Sequence, residues 1–146
     1  MNKELTDPHI ITFGCRLNAY ESEIMRKLAK ESNLSNTIII NTCAVTSEAE
    51  RQARQAIRKA RRKEPNAKII VTGCAAQISP ETFSSMPEVD KVLGNEEKLI
   101  GSSYKEDSDA RIKVGNIMSA QKVDTHIIDR FEDRTRAFIQ VQTGCD

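Results

Sequence analysis

Short apolar runs rich in β-branched residues alternate with amphipathic stretches through the first hundred residues of the chain. Ile10-Ile11-Thr12-Phe13, Thr37 to Asn41 and Lys68 to Thr72 are nearly continuous runs of this kind, as expected of strands covered on both faces. Val89 to Leu93 is a further, shorter strand candidate. Between the first two runs, Ala19 to Glu31 places Tyr20, Ile24, Met25, Leu28 and Ala29 on one face of a helix. Ser47 to Lys63 predicts a second helix. Thr46 and Ser47 are cap candidates, Glu48 and Glu50 fill its first turn, and Arg61, Arg62 and Lys63 close it ahead of Pro65. Ile78 to Met86, with Pro80 near its start, reads as a short helix, and Asn95 to Ile100 as a helical turn. The alternation implies an α/β fold: a doubly wound, mainly parallel sheet with helices on both faces and right-handed crossovers.

From Gly101 the pattern fades. Ser102, Ser103, Asp107, Ser108 and Asp109 suggest a loop, with Arg111 to Ile117 and Lys122 to Ile128 as short strand candidates and an acidic segment at Asp124, Asp129, Glu132 and Asp133. Arg136 to Gln142 then reads as a strand with alternating apolar positions, expected to present an unpaired edge. The expected organisation is a domain over residues 1–100, a connector over 101–134, and the truncated opening of another domain over 135–146.

Composition narrows the function classes only a little. Twenty-two Lys and Arg against 21 Asp and Glu leave a net charge of +1, so nothing pulls the whole chain toward nucleic acid or anionic lipid. No run of about 20 apolar residues is present, and Met1 to Pro8 is too polar for a secretory signal. A cytoplasmic protein with no membrane partner is expected, and there its 4 cysteines remain reduced thiols. Helix Ser47 to Lys63 carries Arg51, Arg54, Arg58, Lys59, Arg61, Arg62 and Lys63 opposite Ala49, Ala53, Ala56, Ile57 and Ala60. Such a face either grips phosphates or is simply solvated, and the solvated reading is preferred.

The candidate chemistry lies in Cys15, Cys43 and Cys74, each at the C-terminal end of a predicted strand. In an open parallel sheet these ends line the ligand crevice, so thiols distant in sequence converge at one edge. Soft thiolates suit an iron–sulfur cluster, and three ligands to a four-iron cubane leave one iron open. Glycines before Cys15 and Cys74 permit close backbone approach. Asn18, Asn41 and Thr42 offer polar groups to a cluster pocket, and Tyr20 and Glu21 follow the first cysteine closely. Zinc ranks lower because it wants a fourth ligand, and His9 and His126 are poorly placed. Burial of the cysteines as small hydrophobes stays open as the bland alternative. No catalytic triad, phosphate-binding glycine loop or dinucleotide fingerprint occurs.

Phe13-Gly14-Cys15-Arg16-Leu17-Asn18-Ala19-Tyr20-Glu21-Ser22-Glu23, Asn41-Thr42-Cys43-Ala44-Val45-Thr46 and Val71-Thr72-Gly73-Cys74-Ala75-Ala76-Gln77 resemble, in order, the signatures of the radical S-adenosylmethionine methylthiotransferases. Leu93-Gly94-Asn95-Glu96-Glu97-Lys98 resembles the segment closing that family's N-terminal domain. The run after Cys15 is most similar to the MtaB-type branch, which modifies threonylcarbamoyladenosine beside the anticodon of tRNA. The resemblance implies that Cys15, Cys43 and Cys74 bind an auxiliary 4Fe–4S cluster that handles the sulfur of the methylthio group. It also implies a tRNA anticodon loop as substrate and a sulfur donor as partner, with no DNA. Cys145 would be the first ligand of a second 4Fe–4S cluster that works with S-adenosylmethionine in a full-length protein. Only Asp146 follows it here, so the chain is expected to be a fragment that is inactive alone. Two other readings remain: a non-catalytic iron–sulfur or sulfur-carrier module, and a generic α/β binding domain.

Overall fold

The β-branched runs become neighbouring strands of one parallel sheet. A computed structural model describes residues 7–14, 16–43, 46–104 and 111–115. Strands β1 (His9–Thr12), β2 (Thr37–Thr42), β3 (Lys68–Gly73), β4 (Lys91–Leu93) and β5 (Ile112–Lys113) lie in the order β1-β2-β3-β4-β5. All pairings are parallel, with Ile10 opposite Ile39 and Ile39 opposite Ile70. Every residue of β2 is buried, as a two-sided apolar strand requires.

Helix α1 (Arg16–Glu31) covers one face, packing Met25 and Ala29 on Ile10, Ile39, Ile70 and Leu93. Helix α2 (Ser47–Lys63) covers the other, packing Ala53, Ile57 and Ala60 on Ile38, Ile40, Ile69 and Val71. Two short helices, α3 (Cys74–Ile78) and α4 (Pro80–Ser84), extend that second layer through Ala75, Ala76 and Phe83. The α/β class, the parallel sheet and the cover on both faces are therefore as the sequence predicts. The crossovers are not all right-handed. Since β1, β2 and β3 are adjacent in chain order, cover from α1 and α2 on opposite faces gives the first two crossovers opposite hands.

Helix α2 matches its expected bounds because local signals agree. Thr46 caps it, its hydroxyl accepting from the Ala49 N–H at 3.0 Å. Glu48 and Glu50 pair with Arg51 and Arg54 one turn on. Arg61 turns back to donate to the carbonyls of Pro65, Ala67 and Glu88 and to pair with Asp90 at 2.7 Å, tying the helix end to β3 and β4. Of the basic face, Arg51, Arg58, Lys59, Arg62 and Lys63 are exposed, and all but Arg51 sit in the half of the helix remote from the strand ends that carry cysteine.

Two expected elements differ. The helix predicted from Ile78 to Met86 is split, and its first part begins earlier, at Cys74. Past Gly101, where a connector was expected, Gly101–Tyr104 forms a 3-10 turn that buries Tyr104 under α1, and Ile112–Lys113, inside the strand candidate Arg111 to Ile117, adds to β4. The sheet thus reaches beyond residue 100. The strand candidates at 122–128 and 136–142, the acidic segment, His126, Cys15 and Cys145 lie outside the described residues.

Candidate iron–sulfur site

Parallel register brings the strand ends level. Thr42 is opposite Gly73, so Cys43 and Cys74, the next residues along, emerge side by side at the C-terminal edge. Thr12 is opposite Asn41, which sets Gly14 beside Cys43. A Cβ on Gly14 would lie 2.6 Å from both Cβ and Sγ of Cys43, and φ at this glycine is 92°. Only a bare Cα fits that position, and it leads into Cys15. Cys43 is buried and Cys74 half-buried.

Asn18, Asn41 and Thr42 serve this edge differently from the expectation. The Asn18 amide donates to the carbonyls of Phe13 and Thr42, both at 2.8 Å, bridging the ends of β1 and β2. Asn41 donates to Asn18 O at 3.1 Å and to Ser22 Oγ at 3.0 Å. The Thr42 hydroxyl donates to Thr72 O at 2.7 Å and accepts from Ala76 N at 3.3 Å, bridging β2, β3 and α3. Their donors are thus taken up in holding the strand-end loops rather than being presented to a ligand. The group that does reach a thiol is one sequence reasoning missed: Asn95, at the end of β4, donates its amide to Cys74 Sγ at 3.8 Å. Its place after a fourth strand end was the available signal. Gln77 holds the Asn95 turn by accepting from its N–H at 2.9 Å, and donates to Gly115 O at 2.8 Å.

The electrostatics at Cys74 are mixed. Burial pushes its thiol above the usual range; the Asn95 hydrogen bond and the Lys98 ammonium pull it down, while Cys43 and Glu21 push it up. Lys98 and Glu21 form an ion pair with side chains 0% and 4% exposed. Tyr104 donates its hydroxyl to the Lys98 carbonyl and holds that turn in place. His9 lies at the opposite end of β1, lining an apolar groove of about 360 Å³ with Ile38, Lys59 and Lys63, and takes no part at the cysteine edge.

The residues present suit an iron–sulfur group better than a hard or borderline cation. The donors converging here are thiols, with a glycine cradle against one and an amide donor on the other. Among the described residues no group of three His, Cys, Asp or Glu forms a complete metal site, Cys15 being outside them. No helix among them is long and apolar enough to cross a membrane.

Fold and site together define a parallel α/β domain carrying paired thiols on the C-terminal edge of its sheet. Residues 8–94 match the model of a family described as "Uncharacterized protein family UPF0004". Over 137 residues, 94% of the chain, it is 58% identical to the "Threonylcarbamoyladenosine tRNA methylthiotransferase MtaB" of Rickettsia prowazekii, and covers 32% of that protein. The Bacillus subtilis protein of the same name is 38% identical over 92% of the chain, and a "Putative methylthiotransferase" of Helicobacter pylori 29% identical over 92%. The chain belongs to the UPF0004 family, and the methylthiotransferase resemblance read from its motifs is borne out. It spans about a third of the length of the curated relatives it matches.

Proposed function

We propose that this chain is the part of a tRNA methylthiotransferase that holds an auxiliary 4Fe–4S cluster, with Cys15, Cys43 and Cys74 as ligands. The observation that carries the reading is the in-register emergence of Cys43 and Cys74 at one sheet edge, with Gly14 packed on Cys43 immediately before Cys15. A cluster bound by three protein thiolates supplies an open iron at which sulfur is held or exchanged. The chain's own residues do the rest. Cys43 and Cys74 ligate as thiolates, Asn95 donates to the Cys74 sulfur, and Asn18 and Thr42 fix the spacing of the strand ends. Ala75 and Ala76 on one face of the sheet and Leu93 on the other are buried close to this edge.

On this reading the complete enzyme adds a methylthio group to carbon 2 of threonylcarbamoyladenosine beside the anticodon, in the cytoplasm. Its partners are the tRNA anticodon loop and a sulfur donor. Cys145 contributes one ligand to a second 4Fe–4S cluster, which works with S-adenosylmethionine in the full-length protein. Residues 1–146 are expected to take up iron without cleaving S-adenosylmethionine. Anaerobic reconstitution with iron and sulfide tests the core of this. Wild type should bind about four irons per chain, and Cys43→Ala or Cys74→Ala should lose them. No iron uptake by wild type would leave a generic α/β binding domain.

A further inference from the structure

Lys98 is the most completely buried cation of the described residues, at 0% exposure, and its carboxylate partner Glu21 is 4% exposed. The other donors of its ammonium have no acceptor among the described residues. Such a pair is a poor way to gain stability, because desolvating two charges offsets most of their attraction and apolar residues of similar size usually do as well. Its location offers a better reason for its presence. Lys98 lies in the turn after β4, where its N–H bonds to Gly94 O at 3.0 Å. Asn95, in the same turn, reaches the Cys74 sulfur. Glu21 lies about one helical turn beyond Asn18, whose amide bridges the end of β1 and the residue before Cys43. The pair therefore stands directly behind the thiol edge, shielded from water.

We propose that Lys98, held by Glu21, is the electrostatic positioning residue of this site: its ammonium offsets the negative charge of the ligating thiolates and thereby raises the reduction potential of the group they hold. The inference rests on the cluster reading above. One-electron reduction adds a negative charge without making or breaking a bond to the chain. A fixed cation in a low-dielectric setting therefore favours the reduced form, and a fixed carboxylate disfavours it. Salt screens a buried charge little, so the effect should persist at physiological ionic strength.

The test uses the 146-residue chain, reconstituted anaerobically with iron and sulfide, and titrated with dithionite against mediators of known potential while the reduced cluster is followed by electron paramagnetic resonance. Lys98→Met should keep its iron and lower the ratio of reduced to oxidised cluster at fixed potential at least ten-fold, equivalent to about 59 mV for one electron. Lys98→Arg should behave as wild type, and Glu21→Gln should shift the ratio the other way. Should Lys98→Met fail to fold, the double variant Glu21→Met with Lys98→Met removes both charges and should still fall below wild type. A ratio within three-fold of wild type in a folded, iron-loaded Lys98→Met variant, or one at or above wild type in the double variant, overturns the inference and leaves the ligand assignment standing. Failure of wild type to take up iron overturns both.

Discussion

Replacing Gly73 by alanine should damage both the fold and the site, and the size of the damage can be worked from the geometry. Gly73 has φ 99° and ψ −172°, a region only glycine occupies without strain. Placing an L-residue there costs on the order of 1–3 kcal/mol. The new Cβ would also lie 2.3 Å from Thr42 O and 2.5 Å from Thr42 N. These are backbone atoms of the adjacent strand, so no rotamer change relieves the contact, and β2 must draw away from β3. That separation strains the hydrogen bonds from Thr42 Oγ1 to Thr72 O and from Ala76 N to Thr42 Oγ1, each worth about 1 kcal/mol. Together these give roughly 3–5 kcal/mol, a large share of the roughly 5–15 kcal/mol available to a domain.

Urea unfolding of the apo-protein at neutral pH, followed by circular dichroism, reads the loss directly. The same separation moves Cys43 from Cys74, so iron bound per chain should fall with stability. Gly101→Ala is the matched control. Among the described residues its Cβ would meet only Leu28 Cδ2, at 3.6 Å, an ordinary contact, and the change should stay within about 0.5 kcal/mol. A Gly73→Ala protein within 1 kcal/mol of wild type, with full iron uptake, would show that this close approach does not set the strand-end geometry.

Other expected outcomes follow from the same structure. Burial first, and then the Glu21 carboxylate, hold the Tyr104 phenol well above its ordinary value of 10.0. The unfolded chain therefore ionises first as pH rises. Wild type should lose up to about 1.4 kcal/mol per pH unit above pH 10 through this group, and Tyr104→Phe should remove that part of the slope in urea titrations from pH 8 to 11. Thr46→Ala deletes the cap of α2 and should cost about 1 kcal/mol by urea unfolding. Arg61→Ala should cost about 1–2 kcal/mol, because this half-buried guanidinium holds three carbonyls and Asp90; replacing the exposed Arg58 and Arg62 should leave the melting temperature unchanged.

How much of this was legible in the chain depended on whether the signals were local. Helix α2 was readable to the residue because capping, first-turn acids, last-turn bases and a following proline agree. The strands were readable because runs such as Ile38-Ile39-Ile40 have few other stable settings. Helix α3 was not, since it is 5 residues long with no capping side chain. It is held by burial of Ala75 and Ala76 against the sheet and by the bond from Ala76 N to Thr42, neither of which is visible along the sequence. Strand β5, only 2 residues long, falls within the strand candidate Arg111 to Ile117, and its pairing with the edge of β4 is what the sequence does not show. Arg61 belonged by pattern to a solvated face, but its partners come from segments far along the chain.

The site divides the same way. Cys43 and Cys74 could be placed together because a parallel register converts equal position on neighbouring strands into proximity. Asn18, Asn41 and Thr42 lie at that edge, but residue type alone cannot say whether an amide faces a ligand or a neighbouring carbonyl. In the fold the carbonyls claim them, and Asn95, from a strand end without a cysteine, supplies the thiol contact instead. Lys98 was hidden most thoroughly. In Glu96-Glu97-Lys98 it reads as one more surface charge, and only the packing of α1 against the turn after β4 makes it a buried cation with Glu21 as its counter-charge. A sheet edge that needs both thiolates and a compensating charge draws the thiolates from strand ends, where pattern reveals them. The compensating charge comes from whichever helix and turn close over that edge, and that can be seen only once the layers are assembled.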